Sequence, residues 1–556
     1  MSVLNTYIRP AIALAFWGLA GFATATAVAP ETAGGPSSPN VLLIVADDLG
    51  YSDIGAFGAE IDTPALDRLA DSGLRLSNFH AAPTCSPTRS MLLSGTDNHT
   101  AGMGAMAEVP RPELTGRYGY EGRITGRVAT LAERLRVAGY ATVLSGKWHL
   151  GLTEESWPSN RGFEHSFALL QGGHNHFGNS GFGAGDGGPM AATYVDDGKP
   201  VDVPGDFYSS DYFTDKLIAK MRQVAPEQPV FAMLSFTAPH SPLQAPRELI
   251  EKYRGRYDGG WAQLREQRVE RLKRLGLIDD RTIAVNPAPD ASSWNQLGDG
   301  EKRVQARAME IYAAMVDSMD TNIGRVISYL DDTGRLDNTF VLFISDNGPA
   351  GQVAKDYMVV PSVRQRFEQA DHSFDNMGGA TSYVFYGPHW AAAASSPFRG
   401  TKGEITEGGT RVPAIVAGVG VSRQNAISDA YTSVMDVVPT VLALAGIDVA
   451  EQVAGRTVAP VTGRSLVPLF GTGASDRIYT DGEPIAYELH GQRVVVDGDW
   501  KLLFMPAPLG AGRWQLFNLA DDPGEQRDLA DKQPEIRQKL IAAWDRYAES
   551  AQVLVQ

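Results

Sequence analysis

The stretch from Asn40 to Ala46, NVLLIVA, is an unbroken apolar and β-branched run that stops at two aspartates, Asp47 and Asp48. A run without polar alternation is the pattern of a strand covered on both faces, which places it inside a parallel sheet sandwiched between helices. The following chain repeats the theme. A helix is predicted over Thr63 to Ser72 (TPALDRLADS), with Thr63 as N-cap and Pro64 at its first position, then a strand in LRLSNFHAA. VATLAERLRVAGY reads as a helix leading into the strand ATVLSGKW. PVFAMLSFTAPH reads as a strand, RAMEIYAAMVDSMDTNIGRVISYLDD as a long helix, and NTFVLFISDNG as another strand. Alternation at these spacings implies a βαβ sheet with helices on both faces.

The chain has 556 residues, too many for one ordinary core, and the pattern changes near residue 480. IYTDGEPIAYELHGQRVVVDGDWKLLFMP has short alternating strands and Gly/Asp turns, and a last helix is predicted over Gln533 to Ser550. We expect a main domain over 40–480 and a small antiparallel C-terminal subdomain over 481–556. At the other end, residues 1–29 carry one positive charge at Arg9, an apolar stretch, and small-residue A-x-A sites around Ala25, Ala27 and Ala29. That is the pattern of a cleaved secretory signal, followed by a Pro/Gly/Ser linker over 30–39. The apolar run from Ala11 to Phe22 is interrupted by glycine and short for a membrane span. The expectation is an exported protein, periplasmic if the source is Gram-negative, with no stable membrane association.

Acidic residues outnumber basic ones 65 to 49, for a net charge of -16, and no basic run interrupts them, which argues against nucleic acid as a partner. Such a surface repels anions at long range, so an anion site must be a local cluster of cations. The strand ends supply candidates. Asp47 and Asp48 close the first strand, Asp346 and Asn347 close FVLFISDNG, His240 follows FAMLSFTAP, and Lys147 and His149 lie in TVLSGKWHLG. Three carboxylates and an amide offer only oxygen donors, which suits calcium or magnesium rather than zinc, and their number favours calcium. The single cysteine, Cys85, excludes an intrachain disulfide; its bland reading is a small buried hydrophobe.

Around that cysteine the sequence reads PTCSPTRSMLLSG, with Pro87 between Cys85 and Arg89. Cys-x-Pro-x-Arg ahead of a hydrophobic run and glycine resembles the signature of the formylglycine-dependent (type I) sulfatases, with Ser94 where that family usually has threonine. GKWHLG resembles the family's second signature, and VADDLG, TAPH, SDNG and the Gly408–Pro413 segment after Lys402 stand in family order. The resemblance runs from about Asn40 to the C-terminal WQLFNLADDPGEQRDLA and is closest to bacterial arylsulfatases. It implies an alkaline-phosphatase-like fold, a large mixed sheet flanked by helices with a small C-terminal antiparallel sheet plus helix. It also implies a maturation enzyme that converts Cys85 to formylglycine (3-oxoalanine), and one calcium ion held by Asp47, Asp48, Asp346, Asn347 and the modified Cys85.

In that scheme the aldehyde hydrate attacks the sulfur of a small-molecule sulfate ester, an aryl ester above all, with Asp346 taking its proton. Arg89 and Lys147 hold sulfate oxygens, His240 with Lys402 serves the departing oxygen, and His149, assisted by Arg89, is the base that releases sulfate. Two rivals stand beside it: a phosphonate monoester or phosphodiester hydrolase with the same machinery, and a non-catalytic anion-binding scaffold, against which every matched position is filled. GGHNHFGNS, with His174 and His176, lacks further ligands at metal spacing and reads as a pocket loop or plain turn. Asp97, Asn98 and His99 read as helix-terminal surface groups or as support behind the site.

Overall fold

The structure, a computed structural model, describes residues 38–109, 112–178, 192–279, 282, 289–357, 361–473, 475 and 477–554. The expected signal and nearly all of the linker lie outside them. Among the described residues no helix is long and apolar enough to cross a membrane.

β1 (Asn40–Ala46) is buried along its whole length. Leu42, Ile44 and Ala46 enter one hydrophobic cluster and Val41, Leu43 and Val45 another, so each face of the strand feeds a separate core. That is why NVLLIVA shows no alternation. The sheet around it has ten strands: β2 (Leu74–Leu76), β3 (Ala141–Lys147), β4 (His165–Leu169), β5 (Tyr194–Asp196), β6 (Lys199–Val201), β7 (Val230–Ser235), β8 (Thr339–Ser345), β9 (Ala414–Gly418) and β10 (Ala426–Ser428) complete it. Their order is β10-β2-β9-β8-β1-β7-β3-β4-β5-β6.

The centre is parallel and in register. Ala46 lies opposite Ser345 of β8, Val45 opposite Ser235 of β7, and Gly146 of β3 opposite Ser235. The carboxyl ends of four adjacent strands therefore stand side by side, the position where open α/β sheets bind ligands. Towards one edge β9 runs antiparallel to β8, which makes the sheet mixed. A second, antiparallel sheet is built from β11 (Ile485–Leu489), β12 (Gln492–Asp497), β13 (Trp500–Phe504) and β14 (Trp514–Asn518). One of its faces (Val495, Leu502, Leu516) packs on Leu540, Ala543 and Trp544 of the terminal helix Pro534–Ser550; the other (Val494, Leu503, Phe517) covers Ile405. From Ser38 onward the chain packs as one unit.

Some elements differ from expectation for local reasons. Thr63 precedes helix α1 (Pro64–Asp71), but its hydroxyl donates to Asp67 rather than accepting from the first turn. Asp320 takes that role from a distant helix, accepting from the N–H groups of Ala65 and Leu66 at 2.9 and 2.8 Å. LRLSNFHAA splits after Leu76, because Phe79–His80 joins a separate three-stranded sheet. The helix expected over VATLAERLRVAGY is confined to Leu131–Val137 by a capping box between Thr130 and Glu133. The strand expected through FTAPH stops at Ser235. The long helix begins at Asp299 rather than Arg307, since its first turns are exposed and polar and carry no apolar period.

Candidate functional site

Cys85 opens helix α2 (Cys85–Ser94), whose ten residues are all buried, and Arg89 stands one turn on. The helix delivers both to the carboxyl ends of β1 and β8. The Cys85 Sγ lies 3.5 Å from Asp47 Oδ1 and 3.9 Å from Asp48 Oδ1. Arg89 faces Asp346, with Nε and Nη2 at 2.9 and 2.8 Å from Oδ2, and its Nη1 donates to the Lys147 carbonyl (3.1 Å) and Ser235 Oγ (2.5 Å).

Lys147, the last residue of β3, donates to Asp47 Oδ2 at 2.7 Å. Gly146 before it, at φ +120°, allows that placement: a Cβ there would fall 1.8 Å from the Ser235 carbonyl oxygen. Lys402 reaches both oxygens of Asp48, at 2.7 and 2.9 Å, from a loop far along the chain, and is buried rather than solvated. Three buried carboxylates are thus matched by three buried cations. Asp48 and His149 hold left-handed backbone, φ +66° and +59°, at a cost of order 1–3 kcal/mol each that non-glycine residues bear mainly at functional sites.

The charges respond to burial and to each other. Burial lifts Asp47 to about 7, against the pull of Lys147. Burial also opposes the charge of Asp48, yet Lys402, then His240 and Lys147, hold it well below the usual carboxylate range. Burial and then Asp346 push the Cys85 thiol far up, so an unmodified thiol here is a poor nucleophile. His240 sits 3.6 Å from Asp48 through Nε2, with Nδ1 2.5 Å from the Ser241 carbonyl; burial drives it down to about 3 and keeps the ring neutral.

Asp47, Asp48, Cys85 and His240 each offer a ligand atom within 4.8 Å of the others. The expected set had Asp346 and Asn347 in place of His240. Asp346 Oδ2 is taken by Arg89, while Oδ1 accepts from the Asp48 N–H at 3.3 Å. Asn347 donates to Asp48 at 2.7 Å and to the Gly348 carbonyl at 2.8 Å, leaving its Oδ1 buried without a hydrogen-bond partner. A buried acceptor beside three carboxylates fits a hard cation.

Five supporting residues carried no signal in the sequence. Glu108 accepts from His149 Nε2 at 2.9 Å; it stands in AMAEVP, which has no periodicity, and only the three-dimensional fold finds it. Although burial works against its charge, His149 holds Glu108 down to about 2. Ser235 braces Arg89. Behind Asp48, Tyr312 donates to Asp53 at 2.6 Å, and Asp53 is ion-paired to the fully buried Arg268. Asp97, Asn98 and His99 are not surface groups. Asp97 caps the turn Asn98–Ala101 and accepts from Tyr547 at 2.6 Å, while His99 meets Glu488 at 2.8 Å, so this segment fastens the C-terminal sheet and helix. His176 bridges Ser209 Oγ (2.8 Å) and the His240 carbonyl (2.9 Å).

Comparison with known proteins matches residues 39–447 to the sulfatase family model. The chain is 46% identical over 518 residues to an uncharacterized sulfatase of Schizosaccharomyces pombe, covering 91% of this chain and 92% of that one. It is 41% identical over 450 residues to an arylsulfatase of Klebsiella aerogenes, covering 80% and 96%. The solved structure of Ps i-CgsB in complex with k-i-k-neocarrahexaose superposes with a TM-score of 0.65 at 23% identity over 92% of this chain and 93% of that one. The PsFucS1 sulfatase from Pseudoalteromonas sp. does so with 0.59 at 19% identity, covering 93% and 91%. At those identities the structures speak for the fold alone, which is the large mixed α/β sheet of alkaline-phosphatase-like proteins with its small C-terminal sheet.

Proposed function

This chain belongs to the sulfatase family and is a sulfuric ester hydrolase; from that premise we propose that it hydrolyses aryl sulfates, with Cys85 converted to formylglycine and one calcium ion bound. The observation that carries the reading is the placement of Cys85 Sγ within 4 Å of two buried carboxylates, in a ring closed by Arg89, Lys147 and Lys402. The orphan Asn347 Oδ1 and the three aspartates are the residues that would hold the ion. When bound, calcium supplies Lewis acidity and the hydrated aldehyde a nucleophilic oxygen.

The chain's own residues do the rest. Arg89, Lys147 and Lys402 balance the three carboxylates, so the site without an ion is near neutral and with one becomes a strong local anion trap on an acidic protein. These cations orient the sulfate oxygens and exclude water from around them. The Ser241 carbonyl fixes the single proton of the neutral His240 ring on Nδ1, so Nε2 would first take up a second proton from solvent, which the Asp48 carboxylate 3.6 Å away favours, and then pass it to the departing oxygen, with Lys402 adding charge nearby. His149, held by Glu108, is the base for sulfate release. Since Cys85 is buried at the start of a buried helix, a maturation enzyme must reach it before that helix docks; the same order suits export of an unfolded chain.

Rates on matched aryl sulfate, phosphate and phosphonate esters test the reading. Sulfate should be turned over fastest, and a phosphonate monoester or phosphodiester preferred over sulfate would move the chain to the rival activity.

A further inference from the structure

The loop after β4 contains Gln171, Gly172, Gly173 and the histidines 174 and 176, and no step above uses it. Neither glycine has left-handed backbone, so conformational freedom does not explain them. Room does. A Cβ on Gly172 would lie 2.5 Å from Cε1, 2.6 Å from Nε2 and 3.0 Å from Nδ1 of His149. A Cβ on Gly173 would lie 3.0 Å from Cε1 and 3.1 Å from Nδ1 of His240.

The loop is itself anchored. Gln171 exchanges two hydrogen bonds with Thr193, at 3.0 and 2.8 Å, and Asn175 donates to the Ala380 carbonyl at 2.7 Å. The His176 N–H donates to Gln244 at 2.8 Å, while its ring holds the backbone carbonyl of His240, the residue whose ring Gly173 faces. His149 is also tied through Nε2 to Glu108 at 2.9 Å, so a ring pushed by residue 172 would strain that hydrogen bond.

We propose that the pair Gly172–Gly173 is a positioning element: the anchored loop lies flush against two imidazoles and sets where both stand. Its kinetic consequences rest on the reading of His149 as base and His240 as acid. One methyl at residue 172 would push the His149 ring by about 0.9 Å to reach ordinary contact, and one at 173 would push His240 by about 0.4 Å.

The test uses Gly172→Ala and Gly173→Ala in the full chain, each also in a Cys85→Ala background where no conversion occurs. Imidazole NMR signals, assigned with His149→Gln and His240→Gln, are recorded beside a melting curve. Gly172→Ala should move the His149 signals and spare those of His240, and Gly173→Ala the reverse. In converted enzyme, Gly172→Ala should lower kcat on the order of 10²-fold with kcat/KM nearly unchanged, because sulfate release follows departure of the phenol. Gly173→Ala should lower kcat/KM, more so for less acidic phenols. Unmoved signals in folded variants overturn the proposal. Signals that move while both rate constants hold uphold the contact and overturn instead the acid and base roles. If Gly172→Ala does not fold, the milder Gly173→Ala decides the matter alone.

Discussion

Replacing Arg89 by methionine tests whether the buried carboxylates are built to receive a cation. Methionine keeps much of the apolar stem but removes every donor, leaving Asp346, fully buried, without its guanidinium. Breaking a buried ion pair in this way costs about 3–5 kcal/mol, while the Lys147 carbonyl keeps the Ser235 hydroxyl as donor. For a unit of roughly 500 residues that is a fall in Tm of about 3–5 °C. The sign of the second measurement matters more. A divalent ion held beside Asp346 would supply part of the missing countercharge, so the loss should be full in chelator and clearly smaller in millimolar calcium. Calorimetry of wild type and Arg89→Met under both conditions gives the four numbers. An equal loss with and without calcium, or a loss below about 1 kcal/mol in chelator, would refute the reasoning.

Further outcomes follow from the same geometry. His240→Ala should reduce turnover about 10²- to 10⁴-fold on alkyl or weakly acidic phenyl sulfates and far less on nitrophenyl sulfate, and a loss independent of the leaving group would remove it as the acid. Exhaustive chelation should abolish hydrolysis and readdition of calcium should restore it; full activity in chelator contradicts a metal role. His99 is buried, which opposes its charge, yet Asp97 and Glu488 raise it to about 9. Its contribution, up to about 3 kcal/mol, is therefore present below pH ~6.5 and lost as pH rises through about 9. Denaturation of wild type and His99→Gln should show a stability gap at pH 6 that closes by pH 10, and a gap that widens with pH would reverse the assignment.

The central sheet was legible because β1 and β8 are buried on both faces, and nothing but an apolar run satisfies two cores at once. Strand ends marked by Asp47, Asp48, Asp346 and Asn347 were legible for the same reason, since polar residues abutting such runs stand out. What pattern could not reach was contact across long sequence separation. Asp320 caps α1 from 254 positions away, and Glu108 meets His149 across 41, with no local signal at either end. Asp97–His99 looked like a surface turn because its partners, Glu488 and Tyr547, come from the C-terminal sheet and helix. The role of Gly172 was equally hidden, since a glycine needed for a neighbour's ring looks in sequence like any turn glycine.

Peptide mass spectrometry of active enzyme reads the chemical state of residue 85 directly. Conversion of the thiol to the aldehyde lowers the mass of the Cys85 peptide by ~18 Da, and the converted fraction should track specific activity across preparations. Fully active enzyme carrying an unmodified thiol at position 85 would contradict the formylglycine reading.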